Sequence, residues 1–432
     1  MKACRFLVFA VLLIALLCYG TTSAFAKGAK ENVTISFIAA QGWLMAPEAP
    51  TLGPKFKDAS GITVDYQLEP NDQYGDILLT KLSAHQLPDI WMHQNGKFDL
   101  EPLLHVAENC VDLSGEDWVK RMDPGAIEHD SYKGKLYGQT IWDFSPTFPI
   151  TYNKDIFKQY GLSVPTSYAE LKAVCQKLLD NGITPLYEPG GDGWPIPLWF
   201  LDIGQVYEAA QPGLEDALNN NKAKFADNKL MLTVLTEWKE MSDLGFMGKT
   251  ALSDTFSGIP DALASGKFAM SMGGITEPQQ THDAHPEVPA ERFGYFVDCL
   301  GDNQILDCGA QGPTRFITAS SKYVAEAKAY FSFVAQTANV QALLDGDNTR
   351  LSLCFAGVKD KFTPAAKDYL AKYPTKGTYL QIQVKYVNPD WGNIMKDMTA
   401  MMLGKMTPLQ VLQNIDTQRA AQAKDAKDPA WQ

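Results

Sequence analysis

The sequence predicts an α/β protein of two domains, each a mainly parallel sheet flanked by helices. Three observations predict it. At 432 residues the chain is long enough for two sizeable cores. In its first part, short β-rich runs alternate with runs of helical apolar spacing, the order of a parallel sheet wound by right-handed crossovers. The second half repeats this style in a different order.

Residues 1–26 stand apart from the fold. Lys2 and Arg5 precede an apolar run from Phe6 to Leu17, and Ala24-Phe25-Ala26 supplies the small-x-small cleavage pattern of a signal peptide. A membrane anchor needs about 20 apolar residues, and this run stops at Cys18, Tyr19 and Gly20. Leu17 occupies the place where lipid attachment to Cys18 would require a small residue. Removing 26 of the 432 residues leaves 406, none in a segment apolar enough to span a bilayer. The formal net charge of −12 becomes −14 without Lys2 and Arg5. So acidic a chain, with no visible basic patch, argues against nucleic acid and anionic membrane surfaces as partners.

VTISFI (33–38), ITVDYQ (62–67) and LPDIWMH (87–93) read as strands. PEAPTLGPKFKDAS and NDQYGDILLTKLSAHQ carry helical spacing in their second halves. In such sheets ligands sit beyond the carboxyl ends of the strands. Those positions hold Gln41, Gly42 and Trp43 after the first strand, and His93, Gln94 and Asn95 after the third, whereas Trp91 lies within its strand and reads as core. Ser167 with Glu170 forms a capping box for YAELKAVCQKLLDNG, whose Leu171, Val174, Cys175, Leu178 and Leu179 make one apolar face. GITPLY (182–187) is a strand, and EPGGDGWPIPLWF after it is a Gly and Pro loop with two tryptophans. Leu230 to Leu244 has helical spacing, and PDALASGKFAMSMGG reads as a helix ending at Gly266 and then a strand. Helical spacing returns over Val324–Leu344, Ile394–Met402 and Thr407–Ile415, and the tail from Gln418 reads as a fraying helix end.

Five cysteines follow residue 26: Cys110, Cys175, Cys299, Cys308 and Cys354. Cys299 and Cys308 flank the turn-rich LGDNQILD and are placed to close a hairpin, a bridge worth roughly 2–3 kcal/mol in the chain-entropy account. The competing reading is two buried thiols, and the odd count leaves at least one cysteine without a partner in the chain. Catalytic motifs are missing: there is no G-x-S-x-G, H-E-x-x-H, Walker loop or C-x-x-C. Gly190-Gly191-Asp192-Gly193 lacks the Lys and Ser or Thr of a phosphate cradle, and Asp345-Gly-Asp347-Asn348 lacks EF-hand spacing. His282 and His285 bracket Asp283 between two prolines and read as a polar loop more readily than as metal ligands. Neither a metal nor a cofactor is expected.

FKDASGITVDY, LSAHQLPDIW, YKGKLYG with TYNKDIFKQYGLSVPTSYAEL, LLDNGITPL, ALASGKFAMSMGG, ITASSKYVAEAKAYFSFVAQ and TPLQVLQNID follow one another along nearly the whole chain after residue 26. This order resembles the extracellular solute-binding proteins of ABC sugar importers, the family that includes maltodextrin-binding protein. The resemblance implies a type II-like periplasmic binding-protein fold of two lobes joined by hinge strands. The first lobe would hold residues 27–150 and about 313–350, the second about 151–312 and about 351–432. Pro149–Asn153 would be one hinge strand and Gly312–Ile317 the return, with a third crossing between Asp345 and Gly357. A lobe crossing needs an extended strand that flexes at few dihedrals, then a well-capped helix so that the lobe beyond moves as a rigid body.

The resemblance also nominates residues. His93 falls near where relatives stack a ring on sugar, and Trp142 with Asp143 lies in a region that supplies them with acidic contacts. Asp192 and Trp194 occupy a loop facing the cleft, Arg315 lies in the return hinge, and Trp391 matches a ring that closes over the sugar. Gly273-Gly274 would let backbone approach a ligand, but Ile275 and Thr276 stand where maltodextrin-binding relatives carry a tryptophan. Glu277 after them offers a carboxylate or a solvated surface group. The implied function is capture of a mono- or oligosaccharide between the lobes and delivery to an ABC permease in the inner membrane, by a periplasmic monomer that performs no chemistry. The alternatives are the same fold holding a non-sugar solute, and a secreted carbohydrate-active enzyme using paired carboxylates.

Overall fold

Residues 33–94, 98, 100–143, 148–307, 312–373, 376–377 and 379–432 are described by the structure, a computed structural model. Nine strands form its two larger sheets: β1 (Thr34–Ala40), β2 (Thr63–Glu69), β3 (Ile90–Gln94), β4 (Gly138–Thr140), β5 (Ile150–Asn153), β6 (Thr184–Tyr187), β7 (Phe268–Met272), β8 (Phe293–Phe296) and β9 (Pro313–Ile317). The first sheet has the order β2-β1-β3-β9-β4 and the second β8-β5-β7-β6. The three strands read first from the sequence are parallel neighbours, with Thr34 opposite Thr63 and Phe37 opposite Ile90.

The sheets are mainly parallel, as expected, with one reversed strand in each. β9 runs antiparallel to both β3 and β4, and β5 antiparallel to both β7 and β8, so both sheets are mixed. The reason lies in the chain path. β5 and β9 are the strands on which the chain arrives from the other sheet. Arriving at the edge where the remaining strands finish, each must run away from that edge. Both sheets therefore present one set of carboxyl ends together with the start of one reversed strand.

Side-chain alternation puts β1 between two apolar layers. Ile35, Phe37 and Ala39 face one layer with Ile90, Met92 and Ile317, while Ile38 and Ala40 face the other with Trp91 and Phe316. Trp91 is fully buried and stacks on Phe316, ring centroids 4.6 Å apart. A separate core packs Ile150, Leu186, Met270 and Phe296 of the second sheet against Leu171, Val174, Cys175 and Leu178 of helix Tyr168–Asp180 and against Trp238 of helix Lys229–Asp243. The Ser167 hydroxyl caps the first of these helices at the Glu170 N–H (3.3 Å), but the Glu170 carboxylate turns back to the Thr166 N–H (2.7 Å) instead of closing the expected box. A complete box forms at Thr407 and Gln410 of helix Pro408–Asp425.

One other expectation fails, and one involves a residue outside those described. Cys299 is a fully buried thiol with no disulfide partner among the described residues, and Cys308, its expected partner, lies outside them. The Cys299 sulfur sits 3.3 Å from the Val297 carbonyl and 3.4 Å from that of Pro165, and burial pushes its pKa up. The tail does not fray at Gln418: the helix continues to Asp425 with Arg419 and Ala423 buried. Finally, Leu353, Cys354 and Phe355 still pack in the first core, bridged to Trp142 and Met122, before helix Pro364–Lys372 joins the second sheet through Tyr369 and Tyr295.

Candidate functional site

At the carboxyl end of β1, the Gln41 N–H donates to the Glu69 carbonyl (2.9 Å) and the Gly42 N–H to Asn71 Oδ1 (2.9 Å), which fixes the turn and leaves the Gln41 side chain exposed. Trp43 is half-buried, edge-on to Tyr74 at 5.1 Å. His93 and Gln94 close β3 opposite Thr314 and Pro313 of the reversed strand, and His93 is half-buried. Asn95 lies outside the described residues. The candidates read from strand ends thus share one edge of the first sheet.

Two candidates near that sheet belong to its interior. Arg315 is 1% exposed and ion-pairs with Glu48, whose other carboxylate oxygen accepts from the Tyr330 hydroxyl (2.6 Å); Tyr330 in turn meets Tyr66 (2.8 Å). Its place in the return strand is as expected, but its reach toward a ligand is not, because alternation turns Arg315 into the apolar layer, where it needs Glu48 to be buried at all. Trp142 is likewise buried, with the Arg350 guanidinium carbon 3.7 Å above its ring, so the ring is covered from within the chain. Asp143 accepts from the Ser352 hydroxyl.

In the second sheet the candidates converge. Asp192 is exposed, and its carboxylate accepts from the Phe256 N–H (2.7 Å), which anchors the Gly-rich loop. Trp194 from that loop is 36% exposed and lies 4.8 Å from Phe256 and 6.1 Å from Phe148. Trp391, half-buried at the start of helix Trp391–Met402, donates its indole N–H to the Trp194 carbonyl (3.3 Å). The fold has therefore brought together two tryptophans 197 positions apart.

Gly273 is a packing glycine: its N–H donates to the Pro149 carbonyl (3.3 Å), and a Cβ there would lie 3.0 Å from Glu277 Cγ and 3.1 Å from Ile259 Cδ1. A Cβ on the half-buried Gly274 would lie 3.3 Å from Thr276 Oγ1. Glu277 is 1% exposed, which excludes the solvated reading; its Oε2 has no partner among the described residues, and burial pushes its pKa up to about 8.

Other acids at the same edge were missed. Glu188, directly after β6, accepts from the Trp199 indole N–H (2.7 Å), and burial raises its pKa to about 7. Asp298, two residues past β8, and Asp202 line a cavity with Phe148, Asn303, Tyr369 and Tyr379. Burial raises Asp202 to about 7 and Asp298 well above the usual carboxylate range, with repulsion from Glu237 and Asp202 adding to the latter. The signal was available: the strand-end rule applied to β1 and β3 points equally to Glu188 after TPLY and Asp298 after FGYF.

Two sheets whose carboxyl ends are each joined by one strand arriving from the other define a two-part α/β binding fold. The family described as bacterial extracellular solute-binding protein matches residues 42–341, more than half of the chain, and the protein belongs to that family. The osmoprotective compounds-binding protein GgtB of Synechocystis is 26% identical over 46% of this chain; the match spans 49% of that relative's length. Among solved structures, a sugar transporter from Bacillus licheniformis in complex with stachyose superposes with a TM-score of 0.74 at 19% identity, covering 90% of this chain and 100% of that one. The binding protein MsmE of Bacillus subtilis, in an open conformation, gives 0.73 at 18% identity, covering 91% and 98%. At these identities the structures establish the fold.

Proposed function

We propose that the protein is the exported substrate-binding component of an ABC importer, a monomer that captures a mono- or oligosaccharide between two lobes and hands it unchanged to a permease. Family membership supports the solute-binding role, and the Bacillus licheniformis relative in complex with stachyose supports the sugar class. The observation that carries the reading is the Trp194–Trp391 pair at the edge of the second sheet, with Phe148 and Phe256 behind Trp194. Sugar rings offer apolar C–H faces to such indoles, and their hydroxyls take up planar acceptors and donors. In this reading the first lobe takes residues 27–150 with about 313–350, the second about 151–312 with about 351–432. Gln41, Trp43 and His93 face the ligand from one side, Asp192, Trp194 and Trp391 from the other.

A thermal-shift screen of the chain after residue 26 against mono- and oligosaccharides, amino acids, polyamines and phosphate tests this. A ligand at about 100 times its Kd adds roughly 2.7 kcal/mol of stability. A shift with one sugar class, and recovery of that sugar intact, is the expected result. Cleaved sugar would replace the reading by a carbohydrate-active enzyme, and a shift with amino acids or phosphate alone would replace the solute.

A further inference from the structure

The first sheet shows how this chain buries an acid that serves structure: Glu48 is fully buried and receives both a guanidinium and a phenol. The cavity at the carboxyl edge of the second sheet is built otherwise. Asp298, 4% exposed, uses Oδ1 to accept the Leu300 N–H (3.0 Å), and its Oδ2 has no partner among the described residues. Asp202 accepts from the Gln381 side-chain amide at 3.3 Å through Oδ1, and among the described residues its buried Oδ2 is also without a partner. Among the described residues no lysine, arginine or histidine lines the cavity, while the rings of Phe148, Tyr369 and Tyr379 do. A buried polar atom without a hydrogen bond costs free energy, and a buried carboxylate without a counter-charge costs more.

We infer that this cavity receives a protonated amino group of the solute, so that the preferred ligand is an amino sugar and not a neutral one. The inference rests on the carbohydrate reading above for its sugar part and on Asp202, Asp298 and the three rings for its amine part. A hydroxyl in the same place donates a single hydrogen, satisfies one of two free carboxylate oxygens and supplies no charge. An ammonium donates three, has hydrogens enough for both oxygens, supplies the missing counter-charge and is a cation of the kind that aromatic rings attract. Because the two acids hold their protons more tightly than ordinary carboxylates, seating an ammonium beside them releases protons to the buffer.

The test is calorimetric titration of the full chain after residue 26 with glucosamine and its trimer, beside glucose, the neutral glucose trimer and spermidine, in two buffers of different ionisation enthalpy. Expected are binding of the glucosamine compounds tighter than their neutral counterparts by on the order of tenfold or more, and a heat that changes with buffer. Asp298→Asn should erase the preference and the buffer dependence; Asp202→Asn serves the same purpose if Asp298→Asn does not fold. Equal or tighter binding of the neutral sugars overturns the inference and leaves the carbohydrate reading intact. Binding of spermidine with no sugar bound overturns the carbohydrate reading and keeps the amine site. Failure of every amine to bind overturns the inference.

Discussion

Arg315 and Trp391 carry opposite lessons. Both were nominated by their place along the chain, yet one is sealed in a core and the other stands at an open edge. Position relative to a crossing is legible in a sequence; the face toward which a strand residue points is legible only once its register is known. For Arg315 the deciding partner, Glu48, lies 267 positions away. Arg315→Ala leaves Glu48 buried without its counter-charge and is expected to lower unfolding free energy by on the order of 3–5 kcal/mol. Urea titration checks this. Ligand affinity of the folded fraction should stay within error, and a large loss of affinity with unchanged stability would return Arg315 to the site. Trp391→Ala removes half of the exposed indole pair and should weaken solute binding by roughly 1–3 kcal/mol. Unchanged affinity in a calorimetric titration would remove Trp391 from the site.

At the scale of elements, the sequence was most legible where period and punctuation agree. β1, β2 and β3 fall within two or three residues of their expected bounds, and Leu230–Leu244 corresponds to helix Lys229–Asp243. The reversed direction of β5 and β9 was not legible, since alternation fixes a strand's faces and says nothing of its direction. The tail misled for another reason. Gln418 onward lacks an apolar stripe, but the helix is held by polar anchors. Arg419, 2% exposed, donates to the Lys385 carbonyl (2.9 Å) and the Leu218 carbonyl (3.1 Å), and Asp428 accepts from Lys385 (2.9 Å) and Tyr386 (3.0 Å). Trp431 packs edge-on to Tyr386 at 5.7 Å and under the Arg419 guanidinium. Deleting residues 427–432 strips the Asp428 and Trp431 contacts, while those of Arg419 to the two carbonyls stay, and is expected to destabilise the protein by on the order of 1–3 kcal/mol. A truncated chain with the melting temperature of the full one would show that the tail is decoration.

At the scale of the whole molecule, four of the buried acids with an unpartnered oxygen among the described residues, Glu188, Asp202, Glu277 and Asp298, gather at the carboxyl edge of the second sheet. Burial raises Glu188 and Asp202 to about 7 and Glu277 to about 8, against ordinary carboxyl values near 4. Between those limits the folded chain holds protons that the unfolded chain has given up. Where the native state binds more protons, stability falls as pH rises. The stabilising contribution of each group is therefore complete below about pH 4 and lost as pH climbs through 7 for Glu188 and Asp202 and through 8 for Glu277. Each unit of pH across which one such group differs between the two states changes stability by about 1.4 kcal/mol. Ligand-free protein should thus be several kcal/mol less stable at pH 8 than at pH 5, measured by urea unfolding in matched salt. Glu277→Gln, which removes one proton-linked group while keeping its shape, should flatten that slope and gain relative to the parent at pH 8 but not at pH 4. A parent protein equally stable at pH 5 and pH 8 would mean that these carboxyls ionise in place, with water or backbone donors reaching oxygens that here stand alone.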